Sequence, residues 1–223
     1  MGLIPASVVT GASSGLGAAI AARLTARGHC VVGVARRGTS NTTVAEMRSC
    51  DISDYSQVKR LTDDLQDRYA IEYLFNVAGS PGFCAISDID DAVLDETLSG
   101  NLYGLVYMSA CLVTGMKQAG HGAIVGILST AALTGRPDEG PYTAAKWGAR
   151  GFLEALRADC KGTGVHVVSI YPGGMNTPFW QHQSHLNPKV ETYMDPTDVA
   201  KQVIDTVVTS YTVGHASSLT IER

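Results

Sequence analysis

What this chain does without narrows its function first. It has no uncharged apolar stretch long enough to span a bilayer. Its opening residues, MGLIPASVVTGASSGLG, show no basic segment followed by a long apolar run, so a secretory leader is not expected. Ala6 stands where a myristoylation signal wants Ser or Thr after Gly2. Charge is scarce: 17% of residues are charged and the formal net charge is −4, which gives no electrostatic pull toward nucleic acid. The five cysteines (Cys30, Cys50, Cys84, Cys111 and Cys160) form no CxxC pair and no His–Cys ligand cluster. Their odd number favours reduced thiols in a cytoplasmic setting. Internal repeats and low-complexity linkers are missing as well.

What remains is an apolar, globular composition: 45% of the 223 residues are hydrophobic, enough for one sizeable core, and a single domain over 1–223 is expected. Short runs rich in Val and Ile predict strands at Ser7–Thr10, Cys30–Ala35, Tyr73–Val77, Ala123–Leu128, Val165–Tyr171 and Ser218–Ile221, with a weaker one ending near Cys50. Between them, helices are predicted at Gly15–Arg27, closed by Gly28, and from Asp54 or Ser56 to about Arg68. Further helices are predicted at Asp90–Gln118 with a break near Gly100, at Tyr142–Lys161, and at Thr197–Thr209 after Pro196. Such alternation implies right-handed crossovers and an α/β fold, a doubly wound parallel sheet with helices on both faces. Ligands then sit beyond the carboxyl ends of the strands.

The loop after the first strand, VVTGASSGLGAAI, carries Gly11, Gly15 and Gly17 into a helix that continues with Ala18 and Ala19. Glycines let a backbone turn sharply and approach a pyrophosphate, which the free N–H groups of the helix then face. A glycine cluster alone serves a plain structural turn equally well; the strand before and the helix after favour a nucleotide. In GPYTAAKWGARGF, Tyr142 and Lys146 stand four apart and so share one helix face, among small residues that allow close packing.

The spacing TGxxxGxG over Thr10–Gly17, together with Tyr-xxx-Lys, resembles the short-chain dehydrogenase/reductase family, and the resemblance runs from Val8 to about Asp205. It implies a Rossmann-type fold and a dinucleotide held by Gly11, Ser13, Ser14, Gly15, Leu16 and Gly17. Asp51 and Ile52 fall where relatives bind the adenine ring. NVAG resembles the family's Asn-Asn-Ala-Gly, so Asn76, Ala78 and Gly79 are assigned to the cofactor turn while Val77 replaces the second Asn. Pro172, Gly173 and Thr177 resemble the segment that holds the carboxamide and leads into a substrate lid, here 178–195. Where an acid would select a free ribose, the second strand ends in Ala35, Arg36 and Arg37. Two guanidinium groups suit a 2′-phosphate, so NADP(H) is expected over NAD(H), with Arg36 the main contact; a solvated basic turn is the plain alternative.

The resemblance assigns the chemistry to Asn101, Ser129, Tyr142 and Lys146. Tyr142 is implied as proton donor in reduction and base in oxidation, and Lys146 as the group that lowers its pKa and holds the nicotinamide ribose. Ser129 is implied to hydrogen-bond the carbonyl oxygen, and Asn101 to distort its helix and complete a water-linked proton relay. Thr130 is an adjacent hydroxyl and the rival of Ser129, since Leu128 replaces the first serine of a usual pair. Phe179, Trp180 and Tyr193 in the lid would suit an aromatic or otherwise apolar substrate. His182 and His185 read as lid residues rather than metal ligands, because no carboxylate or cysteine completes a site.

The segment from Arg36 to Cys50 is short for a crossover helix, and the C-terminal SSLTIER lacks the glycine-rich extension of many relatives. A homodimer through the long helices, with Ala110, Ala149 and Ala158 allowing close approach, is expected; a tetramer is the alternative. The expected function is an NADPH-dependent reductase of a small-molecule ketone or aldehyde, with no membrane partner. Its alternatives are a secondary-alcohol dehydrogenase running in the oxidative direction and a non-catalytic NADP(H)-sensing protein.

Overall fold

A computed structural model describes residues 2–37, 43–181, 188–209 and 216–223. Seven parallel strands form one sheet in the order β3-β2-β1-β4-β5-β6-β7: β1 Ile4–Thr10, β2 Cys30–Ala35, β3 Glu46–Ser49, β4 Tyr69–Asn76, β5 Gly122–Ile127, β6 Val165–Pro172 and β7 Ser218–Ile221. The helices are α1 Gly15–Ala26, α2 Tyr55–Arg68, α3 Asp91–Leu98, α4 Gly104–Ala119, α5 Gly140–Asp159 and α6 Pro196–Ile204.

The sheet is covered on both faces, as the Val- and Ile-rich strands require. One core packs α2, α4 and α5 against it through Leu61, Leu65, Leu112 and Leu153. The other packs α1 and α6 through Ile20, Leu24, Val203 and Ile204. Strand order reverses between β1 and β4, so the crevice at their carboxyl ends is where a doubly wound sheet takes a ligand.

Local chemistry explains the boundaries. Asp54, not Ser56, caps α2, accepting from the backbone N–H groups of Ser56 and Gln57. Gly28 follows α1 at φ +84°, a conformation glycine adopts without steric cost. The long helix expected from Asp90 is broken where Gly100 marked it: a π-turn over Ser99–Tyr103 separates α3 from α4. A second π-turn, Asp205–Thr209, ends the helix predicted to run unbroken from Thr197. β4 begins four residues earlier than predicted because α2 passes straight into it at Tyr69, with no turn residue between them. Among the described residues, no helix joins β2 to β3.

Candidate active site

The turn after β1 is built on glycine. Gly11 has φ +70°, and a Cβ there would stand 3.0 Å from the backbone of Ala78. A Cβ on Gly17 would stand 2.6 Å from the carbonyl carbon of Gly11 and closer still to its oxygen, so α1 touches its own entry turn. Ser13 and Ser14 are exposed at the mouth, Leu16 and Gly17 are buried beneath it, and Ser14 makes no capping bond from its side chain. The first turn of α1 carries no acidic residue. Its N–H groups are therefore available to an anion, and the turn fits a pyrophosphate.

Thr10 ties this turn to the next strand. Its buried hydroxyl oxygen accepts from the N–H of Val77 at 3.0 Å and of Ala78 at 3.1 Å. The Asn76 side chain donates to Ser109 on α4 at 3.1 Å, and Thr177 faces Gly15, where a Cβ would meet it at 3.3 Å. Gly173 donates to Ile221, which holds the turn after Pro172 against β7. Arg36 and Arg37 are exposed just past β2. Asp51 accepts from the N–H and hydroxyl of Ser53 through one oxygen, and Ile52 is buried against α4 at Gly104.

Asn101 lies in the π-turn. Its amide donates to the carbonyls of Ser80 at 2.8 Å and Thr97 at 2.9 Å, while its own carbonyl oxygen has no partner among the described residues. A Cβ placed on Gly79 would stand 2.6 Å from that oxygen and 3.6 Å from Lys146 Nζ. Only a glycine leaves this space open between the two groups. Lys146 is 4% exposed; its ammonium donates to the Ile127 carbonyl at 3.2 Å and lies 5.5 Å from the Tyr142 ring centroid. Burial pulls its pKa down from 10.5 to about 8.

Ser129 and Thr130 take different places. The Ser129 hydroxyl accepts from the Ala131 N–H at 3.1 Å and acts on Tyr142, whose pKa it lowers. Thr130 accepts instead from the Arg136 guanidinium at 2.9 Å. The two hydroxyls are thus separated, and of the two Ser129 acts on the phenol.

The protein on its own does not lower the Tyr142 pKa. Burial, at 8% exposure, pushes it well above the ordinary phenol value, partly opposed by the Ser129 bond; Glu139 raises it further and Arg136 lowers it. Glu139 was not singled out from the sequence. It stands three residues before Tyr142, its own pKa raised by burial, with one carboxylate oxygen unpartnered among the described residues. A lone carboxylate in an irregular turn gives no periodic signal that could have marked it. Phe83, in the loop after β4, was missed for the same reason and packs edge-on against Tyr142.

His182 and His185 lie outside the described residues, as does part of the expected lid. Among the described residues no group of three His, Cys, Asp or Glu side chains could hold a metal ion, and no helix is long and apolar enough to cross a membrane. Of the alanines read as an interface stripe, Ala110 and Ala158 are exposed, but Ala149 is fully buried against the sheet and cannot face a partner.

Comparison with known proteins bears on this arrangement. A family model described as short chain dehydrogenase matches residues 6–187. The ketoacyl reductase of the monensin polyketide synthase from Streptomyces virginiae is 33% identical over 188 residues, covering 78% of this chain and 72% of that protein. The 3-ketodihydrosphingosine reductase of Bacteroides thetaiotaomicron is 28% identical over 191 residues, covering 84% of this chain and 71% of that protein. Among solved structures, the actinorhodin polyketide ketoreductase with NADPH matches at a TM-score of 0.84 and 27% identity, over 98% of this chain and 95% of that one.

Proposed function

We propose that this chain, which belongs to the short-chain dehydrogenase family and is an NAD(P)-dependent oxidoreductase, reduces a ketone or aldehyde of a small molecule to the alcohol with NADPH. The observation that carries the reading is one cluster: Tyr142, its pKa acted on by Ser129, with the buried Lys146 ammonium 5.5 Å from its ring, at the carboxyl ends of β4 and β5.

The cofactor is held by the turn Gly11–Gly17, by Asp51 and Ile52, by Asn76, Ala78 and Gly79, and by Pro172, Gly173 and Thr177. Arg36 and Arg37 take the 2′-phosphate, which sets NADPH above NADH. When bound, the nicotinamide supplies the hydride that the carbonyl carbon receives, and NADP⁺ is left. Ser129 donates to the carbonyl oxygen, and Tyr142 delivers the proton as the C=O π bond becomes C–H and O–H. Lys146 binds the nicotinamide ribose, and its charge stabilises the phenolate that proton delivery leaves behind. Asn101 accepts from a water in the space over Gly79 and links Lys146 to solvent.

Burial keeps Tyr142 neutral over the whole physiological range, as a donor must be, whereas oxidation needs a phenolate that burial opposes. In a single domain, 178–181 and 188–195 flank the substrate site, and two copies pair through α4 and α5 in the cytoplasm. The test is NADPH oxidation over a panel of ketones and aldehydes. Binding of NADPH with no turnover on any of them, unchanged in Tyr142→Phe, would mark a sensor instead. Arg36→Ala weakens NADPH far more than NADH; equal weakening defeats the cofactor assignment.

A further inference from the structure

Two aromatic rings pack on the ring of the phenol proposed as the proton donor, and two more stand behind them. Phe83 meets Tyr142 edge-on at 5.2 Å, and Phe179 meets Tyr142 at 5.8 Å. Trp180 lies nearly parallel to Phe83, at 5.7 Å between centroids and 24° between planes, and leans on Tyr193 at 5.2 Å.

The two parallel rings differ in how they are fixed. Phe83 sits on a loop pinned at both sides: Gly82 packs against Thr97 of α3 with no room for a Cβ, and the Cys84 N–H donates to the Asp138 carbonyl at 2.9 Å. Trp180 ends a single turn, Pro178–Trp180, whose root pairs with Met194. Its indole N–H is already satisfied by the Met175 carbonyl at 3.0 Å, so the face it turns to Phe83 offers only π surface. One wall is rigid and the other rides on a short turn. A flat ring touching both faces needs about 7 Å between planes, two contact distances, so Trp180 must swing outward by about one of them, roughly 3.5 Å, to admit one.

We propose that the substrate is a carbonyl compound conjugated to a flat aromatic ring, which slides between Phe83 and Trp180 and displaces Phe179 from Tyr142. This rests on the reductase reading, because it places the carbonyl at Tyr142. Two face-to-face contacts favour an aromatic over a saturated ring of the same size by roughly 10–100-fold.

The experiment compares acetophenone with methyl cyclohexyl ketone, which have the same carbon skeleton. Steady-state reduction by NADPH is read beside the fluorescence of Trp180 in a Trp147→Phe background, where it is the one remaining tryptophan of two. The expected result is a kcat/KM ratio of roughly 10–100 for acetophenone, falling toward unity in Phe83→Leu and in Trp180→Leu. Acetophenone also quenches Trp180 saturably, in Tyr142→Phe as well. Quenching without reduction of either ketone leaves the slot standing and removes the reductase reading. Equal kcat/KM for the two ketones keeps the reductase and overturns the slot, as does fluorescence that does not respond to acetophenone.

Discussion

Replacing Tyr142 by Phe removes one oxygen and leaves the ring. The contacts of that ring with Phe83 and Phe179 are made by carbon and survive. The hydroxyl loses its polar interaction with Ser129, yet Ser129 still accepts from the Ala131 N–H, so no new buried polar atom is stranded. The stability cost is that of one hydrogen bond, about 1 kcal/mol, or roughly 2–4 °C in Tm for a chain of this size. Turnover answers to something else. Without the phenol, the nearest hydroxyl is that of Ser129, a far weaker acid, and Lys146 is committed to the Ile127 carbonyl. Removing a general acid costs about 10²–10⁴-fold in kcat, or roughly 3–5 kcal/mol of barrier. NADPH affinity, which rests on the glycine turn and the arginines, changes by no more than about 3-fold, under 1 kcal/mol. Three measurements separate these effects: NADPH absorbance with a fixed carbonyl substrate, fluorescence titration with NADPH, and thermal unfolding. A variant that turns over within tenfold of the parent refutes the proton-donor role. A fall in turnover matched by an equal fall in NADPH affinity refutes it too, because the loss would then be one of binding.

The remaining predictions concern the turn and the two buried charges. Gly17→Ala drives a Cβ into the backbone of Gly11 and destabilises by about 1–3 kcal/mol or more, whereas Gly151→Ala, with nothing within 4 Å, stabilises by about 0.5–1 kcal/mol; urea unfolding of both is the check. Lys146 titrates near 8 in the fold against 10.5 in the open chain, so between those values the unfolded state holds the extra proton and stability rises with pH, by up to about 3 kcal/mol. The raised Tyr142 pKa works the other way above 10, and the raised thiols of Cys50, Cys84 and Cys160 do so from about 9, so the lysine is read as the difference between parent and Lys146→Met, whose urea midpoints should rise less steeply between about pH 8 and pH 10. Glu139→Gln removes a charge that raises the Tyr142 pKa, so the pH profile of kcat moves to lower pH, and Arg136→Gln moves it up; profiles that stay still or move the other way refute the coupling.

The parallel sheet was legible because strands buried on both faces must be apolar throughout: Val31 to Val34 and Ala123 to Ile127 admit nothing else. Where strands carry polar residues the signal fades. Glu72 and the half-buried Tyr73 hide the first half of β4, and exposed Ile4 blurs the start of β1. Tyr142 and Lys146 were legible because a helix fixes which residues share a face, a property of spacing alone. Asn101, Gly79 and Lys146 meet through three separate segments, and no local pattern reports such a meeting; the family resemblance put them in one site. The choice of Ser129 over Thr130 turns on Arg136 drawing Thr130 aside, seven and six residues away in a loop with no period. Small residues mark close packing without saying against what: Ala149 proved to face the sheet.

The distribution of unmet hydrogen bonds points to the same region by an independent route. Folded chains rarely leave buried polar atoms without partners, since each costs about 1–3 kcal/mol. Six such side-chain atoms occur among the described residues, and five belong to Asn76, Ser80, Asn101, Glu139 and Thr143. All five lie at the end of β4 or in the turn after it, in the π-turn, or at the start of α5; only Arg23, on α1, lies elsewhere. Poor packing would scatter these losses across the two cores, which instead are filled by aliphatic side chains. Concentrated at the carboxyl ends of the middle strands, they form a set of donors and acceptors that this chain holds in place and does not satisfy by itself. The lysine kept at about 8 and the phenol pushed upward stand beside that set. Stability is given up where a ligand's polar groups can restore it, as preorganised sites require.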